Sequence, residues 1–182
     1  MYELKQLDVN LLQAARSQWS EQLDALGEES IPFNGYFIYL GYTEYGLTIN
    51  NAPNLFHYCF TQADQVIAMF ELSVVHPKAA DCYLKVLSVR TAPVFDTRAP
   101  DTAENTFLMR MQKITQIYSN VIFSVLGLAE SHFSAKMVKI YGNNQAGADF
   151  FANFIAAANQ NKLPERFGYD LNRYGNWLHI SM

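Results

Sequence analysis

Apolar residues recur along this chain with two different periods, and the switches between them mark out the elements. Tyr2 to Leu7 alternates as a short strand does, and Asp8 is placed to cap the helix that follows. Val9, Leu12, Ala15, Trp19, Leu23 and Leu26 then recur at helical spacing, with Gly27 as the stop. From Glu28 to Pro53 the periodicity is lost in a stretch rich in Gly, Pro, Tyr and Phe, which reads as turns and a short helix. That stretch is either a packed loop or a lid that sets substrate specificity. Three strands come next, Leu55 to Thr61, Val66 to Val75 and Cys82 to Val89, joined by links short enough for an antiparallel meander. VIAMFELSVV is nearly continuous in apolar residues, as a central strand covered on both faces should be.

After Val89 a loop leads to a helix start near Thr102. Phe107, Met111, Ile114, Tyr118, Val121, Val125, Leu128 and His132 then fall three or four apart, the stripe of one long helix. Within it VIFSVLGLA is β-branched enough to suit a strand as well. Met137 to Tyr141 reads as a strand, Ala146 to Asn159 as a helix, and the end of the chain as a hairpin turning near Tyr174 and Gly175. No repeat or linker interrupts this order, so 1–182 is expected to be a single domain.

Composition narrows the function classes. Half of the 182 residues are hydrophobic and 16% charged, the balance of a globular chain with a proper core. A formal charge of −4 gives no basic signature for DNA or RNA, so no nucleic acid partner is expected. Cys59 and Cys82 are the only cysteines and lack the paired spacing of a zinc site. A reduced, cytoplasmic setting is expected, with no membrane partner, because no signal-peptide pattern or long apolar span is evident. Nor is there a Gly-rich nucleotide fingerprint after a strand.

The stretch KMVKIYGNNQAGADFFANF carries the most specific pattern: a strand, then Gly142, Asn143 and Asn144, then an apolar-striped helix. The two amides stand either as helix caps or as part of a ligand site at the exposed N–H groups of the first turn. The strand MVKIY, the N-x-x-A from Asn143 to Ala146 and the pair Phe150 and Phe151, within the whole order of elements, resemble the GNAT superfamily of N-acetyltransferases. The resemblance implies an α/β fold whose mixed central sheet, an antiparallel meander plus a splayed parallel pair, is flanked by helices. It implies acetyl-CoA as cofactor, with its pantetheine arm in the V between the strand ending in Leu87, Ser88 and Val89 and the strand Met137 to Tyr141. It also implies that backbone groups of Leu87, Ser88 and Val89, and the amide of Asn143, contact that arm, and that the acceptor is an amine of a small molecule or a protein. Two positions depart from the family pattern. The phosphate loop before the long helix is here VFDTRAPDTAEN, without glycine, and the position of the family's proton-donating Tyr is Phe150 or Phe151, leaving Tyr141 or Tyr169 as substitutes.

Glu71, inside the apolar strand, is the candidate catalytic base: a carboxylate buried there should have a raised pKa, which suits proton abstraction from an amine. The alternative is that it faces solvent or pairs with Lys85 across the meander. His57 is read as facing a cleft or as structural, and His76 as exposed. A non-catalytic protein of the same fold, using aromatic surface for a protein partner or a homodimer, is the competing reading.

Overall fold

Asp8 decides where the first helix starts. In the computed structural model, which describes residues 2–27, 31–43, 46–47, 52–95, 104–142, 145–160 and 168–182, its carboxylate accepts from the Leu11 N–H at 2.8 Å. Helix α1 then runs Val9–Leu26, and Gly27 ends it at φ 66°, the left-handed region that glycine occupies without a Cβ clash. The order of elements matches the periodicities. Strand β1 (Glu3–Gln6) precedes α1, α2 (Ile31–Tyr39) follows it, and β2 (Tyr42–Thr43) pairs with β3 (Gly46–Leu47). Next come β4 (Leu55–Gln62), β5 (Gln65–Val75), β6 (Tyr83–Thr91), α3 (Glu104–Leu128), β7 (Met137–Tyr141), α4 (Gln145–Asn159), β8 (Asp170–Tyr174) and β9 (Trp177–Ser181). The seven-stranded sheet has the order β1-β4-β5-β6-β7-β9-β8. Its β6–β7 pair is parallel and β1–β4, β7–β9 and β9–β8 are antiparallel, which is the mixed α/β sheet expected.

The chain divides into two compact units, Met1–Met69 with Arg90–Ile117, and Phe70–Val89 with Tyr118–Met182. In the first, the core gathers Leu7, Leu12, Ala15, Trp19, Tyr36, Phe37, Leu40, Cys59, Val66, Met69 and Ala92. The tight turn between β4 and β5 places Ala63 and Asp64 at φ 48° and 61°, as a two-residue hairpin of matching twist requires. Two residues of α1 hold its exit. Gln18 accepts from the Val66 N–H at 2.9 Å and donates to the Asp64 carbonyl at 3.2 Å, while the Trp19 indole N–H donates to the Val66 carbonyl at 2.8 Å. On α3, Lys113 donates to Gln62 at 3.0 Å and its ammonium lies 4.8 Å from the Tyr2 ring centroid.

Cys59, fully buried in this core, has its thiol pushed up to about 12 by burial. An acid whose folded pKa is raised stabilises the fold fully below its unfolded value, and the contribution fades as pH climbs from about 9 toward 12. The native protein should therefore resist alkylation of Cys59 by iodoacetamide at pH 8.5 and accept it in urea. Modification of Cys59 in the native state at the rate of a free thiol would overturn the assignment.

In the second unit one sheet face is apolar and sealed. Leu84, Val86, Val138, Ile140, Leu178 and Ile180 alternate inward and none is measurably exposed. Val121, Ile122, Val125 and Leu126 on α3 are buried as well. The segment VIFSVLGLA is helical, and burial of one stripe outweighs its strand propensity. At its C-terminal end the helix widens over Ala129–Phe133, where Ser131 donates to the Gly127 carbonyl at 2.6 Å, and Ser134 closes it in the left-handed region.

Candidate functional site

The parallel pair at the centre of the second unit is in register over only four positions. It runs from Tyr83↔Met137 to Val86↔Ile140, whereas β6 continues to Thr91. Leu87, Ser88 and Val89 thus lie on β6 just past its last residue paired with β7, which itself ends at Tyr141. The in–out alternation of Leu84 and Val86 is interrupted at Leu87 and Ser88, both half-buried, and Val89 is buried again. The Oγ of Ser88 is buried and, among the described residues, has no hydrogen-bond partner. A buried hydroxyl in that state is costly.

Gly142 sets the other wall. Its N–H donates to the Asn176 carbonyl at 2.8 Å, tying the end of β7 to the β8–β9 turn. A Cβ there would lie 3.0 Å from Phe151 Cε2, 3.1 Å from the Ala148 N and 3.1 Å from the Gly147 carbonyl carbon. Two of those three neighbours are backbone, so any side chain here requires the start of α4 to shift by a few tenths of an ångström, and glycine spares it that shift. The N-terminal part of α4 is thereby held against the end of β7. Asn143 and Asn144 lie outside the described residues, as does most of the loop before α3, 96–103.

Phe151 is fully buried under Gly142, and Phe150 is half-buried. Tyr118 of α3 packs against both, with ring centroids 5.3 Å from Phe150 and 6.2 Å from Phe151. Of the two substitute tyrosines, Tyr141 is at the open end of β7, its ring 4.9 Å from that of Trp177. Tyr169 is at the closed end: it donates to Glu130 beyond α3, and the next residue, Asp170, is in register with Ser181 and, through it, Met137. That end is about 13 Å along the strand from Tyr141, and the hydrogen bond to Glu130 raises the Tyr169 pKa.

Glu71 lies in β5, the strand beside β6, and is 4% exposed. Of the alternatives to a catalytic part, exposure to solvent does not hold: β5 is buried from Val66 to Leu72, and Glu71 sits within that run. Lys85, its candidate partner, has its ammonium 5.6 Å from the Tyr83 ring centroid and 6.0 Å from that of Trp177. His57 is buried at 3%, its carbonyl accepting from the Leu7 N–H. His76 is exposed and paired with Asp81 at 2.8 Å, a contact that lowers the Asp81 pKa. No helix among the described residues is long and apolar enough to cross a membrane.

Sequence reasoning missed the orphaned hydroxyl of Ser88, for which the chain carries no local signal; only the end of the strand register exposes it.

No family model matches the chain, and no protein of curated function matches it by sequence. Among solved structures it is similar to the PaiA N-acetyltransferase of Thermoplasma acidophilum in complex with coenzyme A, at 13% identity and a TM-score of 0.41, over 100% of this chain and 99% of that one. It is similar also to the N-acetyltransferase PseH of Campylobacter jejuni in complex with acetyl coenzyme A, at 10% identity and a TM-score of 0.47, over 100% and 98%. An N-acetyltransferase of Staphylococcus aureus Mu50 is matched at 12% identity and a TM-score of 0.46, over 100% and 97%.

Proposed function

We propose that the chain transfers an acetyl group from acetyl-CoA to an amine, by direct attack in a ternary complex. The observation that supports this best is the run of β6 beyond its last pair with β7, Val86↔Ile140, together with the buried Oγ of Ser88, which has no hydrogen-bond partner among the described residues. An extended arm bearing amides fits there, since strand backbone beyond a pairing and a lone hydroxyl both require hydrogen-bonding partners. Acetyl-CoA, when bound, supplies the acyl group activated as a thioester. Backbone groups of Leu87, Ser88 and Val89 hold the arm in line, Ser88 Oγ adds a side-chain contact, and the first turn of α4 faces the reacting end. Glu71 takes the proton from the amine, directly or through water, as the new C–N bond forms; the thioester C–S bond breaks and coenzyme A leaves as a thiolate that takes its proton from solvent. Asn143 retains its proposed part as an amide contact.

A second reading, a protein of this fold that binds a partner without catalysis, is favoured by one observation. The two positions for the proton-donating Tyr are occupied by Phe150 and Phe151, packed into an aromatic cluster with Tyr118 and Phe154. In that case the partner and any homodimer use exposed aromatic surface.

Isothermal titration with acetyl-CoA, and with ADP as a control lacking the arm, separates the two. Saturable heat specific to acetyl-CoA is expected. Ser88→Ala should weaken that binding about three- to tenfold, the worth of one neutral hydrogen bond, while leaving the urea midpoint unchanged or slightly higher. No binding at millimolar acetyl-CoA sinks the transferase reading.

A further inference from the structure

The second unit has an opposite sheet face, and it is built unlike the sealed one. The registers of β6, β7, β9 and β8 align its residues in rows across the strands. Lys85, Lys139, His179 and Asn172 form one row. Tyr141, Trp177 and Tyr174 form the next, and Tyr83, Met137, Ser181 and Asp170 lie on the other side. All are half-exposed or exposed. Lys85 and Lys139 are direct neighbours on adjacent strands, a like-charge juxtaposition that costs stability. Neither is paired with a carboxylate among the described residues. Their ammoniums instead lie over rings, Lys139 at 4.4 Å from the Tyr83 centroid and Lys85 at 5.6 Å. His179 has its pKa lowered by burial and then by Lys139, and its ring lies 4.7 Å from that of Tyr174, tilted by 56°.

The face is therefore rich in donors. Two ammoniums, the hydroxyls of Tyr83, Tyr141 and Tyr174, and the indole N–H of Trp177 have no hydrogen-bond acceptor among the described residues. Among the described residues the opposing charges are few. Asp170 is exposed at the outer edge, two positions along β8 from Asn172, and Asp81 is held by His76, whose ring is 6.0 Å from that of Tyr83. A two-fold pairing of this face with a second copy would set four lysines against one another, which disfavours it. An acidic peptide would satisfy the lysines and leave the row of rings unused. A strand carrying phosphates and flat bases uses both rows, phosphates on the ammoniums and bases on the rings. The face is open, about 10–15 Å across its strands, which suits an extended strand better than a lone mononucleotide in a closed pocket.

We infer that the open face of β6, β7, β9 and β8 binds single-stranded nucleic acid without reading its sequence. A net charge of −4 for the chain hides this local concentration of donors. The inference is independent of the transferase reading, since it uses Lys85, Lys139 and the ring row, side chains to which that reading gives no part.

The test is intrinsic fluorescence, because of the two tryptophans Trp19 is fully buried in the first unit and Trp177 stands on the face. Titration with a thymidine dodecamer in low salt should quench the Trp177 emission saturably. The logarithm of affinity should fall against the logarithm of salt with a slope of about −1.4, for two phosphates on a single strand. Lys85→Ala with Lys139→Ala should lower affinity about tenfold or more and flatten that slope, with the far-ultraviolet circular dichroism unchanged. Trp177→Phe removes the signal, and the dodecamer is then followed by its own fluorescent label, with near wild-type affinity expected. Absence of quenching at millimolar nucleotide in low salt overturns the inference. So does an equal response to poly-glutamate, which assigns the face to acidic peptides, or an equal response to ADP alone, which assigns it to mononucleotides.

Discussion

Trp19→Ala should remove about 3–5 kcal/mol of folding stability, a large share of what a domain of this size has. The indole has no exposed surface, stands edge-on to Phe37 at 5.8 Å, and belongs to the core of the first unit. Truncation leaves a cavity bounded by α1, α2 and the start of β5, elements whose backbones are fixed by their own hydrogen bonds and so collapse little. It also takes the donor away from the Val66 carbonyl, next to the β4–β5 turn that Gln18 holds through two further bonds. Trp19→Phe separates the two causes. It retains most of the buried area and loses the N–H, so it should cost about 1–3 kcal/mol. Urea unfolding followed by far-ultraviolet circular dichroism measures both without relying on the fluorophore being removed. A loss below about 1 kcal/mol for the alanine variant contradicts this account of the core.

Trp19 also shows which parts of the fold the sequence makes legible. Its place in a stripe with Leu12, Ala15 and Leu23, between a capping Asp8 and a terminating Gly27, is enough to define α1 to the residue. The three meander strands and the late strand and helix follow from period and punctuation in the same way. VIFSVLGLA shows the limit of that reasoning, because its β-branched residues leave the local preference ambiguous and only the buried stripe of α3 resolves it. The burial of Glu71 follows from the unbroken apolar run around it. What it faces does not, since that depends on neighbours distant in the chain.

The site and the open face are less legible for a common reason. Both depend on strand register. Ser88 is one more small polar residue in a strand until the β6–β7 pairing is seen to end two residues before it. Lys85, Lys139 and His179 are far apart in sequence, and they become a row only when β6, β7 and β9 are aligned. Alternation assigns each of them a face, but a shift of one residue in any pairing would move that strand's set to the opposite side. The two positions of the expected phenol, by contrast, are plain in the sequence as Phe150 and Phe151, and their ring contacts with Tyr118 give them a packing role.

Glu71→Gln should lower kcat by about 10²- to 10⁴-fold in acetyl transfer, the range lost when a general base is removed. An amine acceptor is mostly protonated near neutral pH and has to lose a proton before its lone pair attacks a thioester. Gln matches Glu in shape and cannot take that proton, so the variant isolates the chemistry from the packing of β5. Three readouts distinguish catalysis from structural support. The affinity for acetyl-CoA by titration should stay within about twofold of the unchanged chain, since Glu71 is assigned to the acceptor. The urea midpoint should move little. The acid limb of the pH–rate profile, which reports the base losing its proton, should vanish from the residual activity. Ser88→Ala has the reverse signature, weaker cofactor binding with kcat nearly intact, so the pair assigns binding and proton transfer to different strands. Acetyl-CoA consumption measured against polyamines, amino sugars and peptide amines supplies the assay. A Glu71→Gln variant that turns over within threefold of the unchanged chain removes Glu71 from the mechanism while leaving the cofactor site standing.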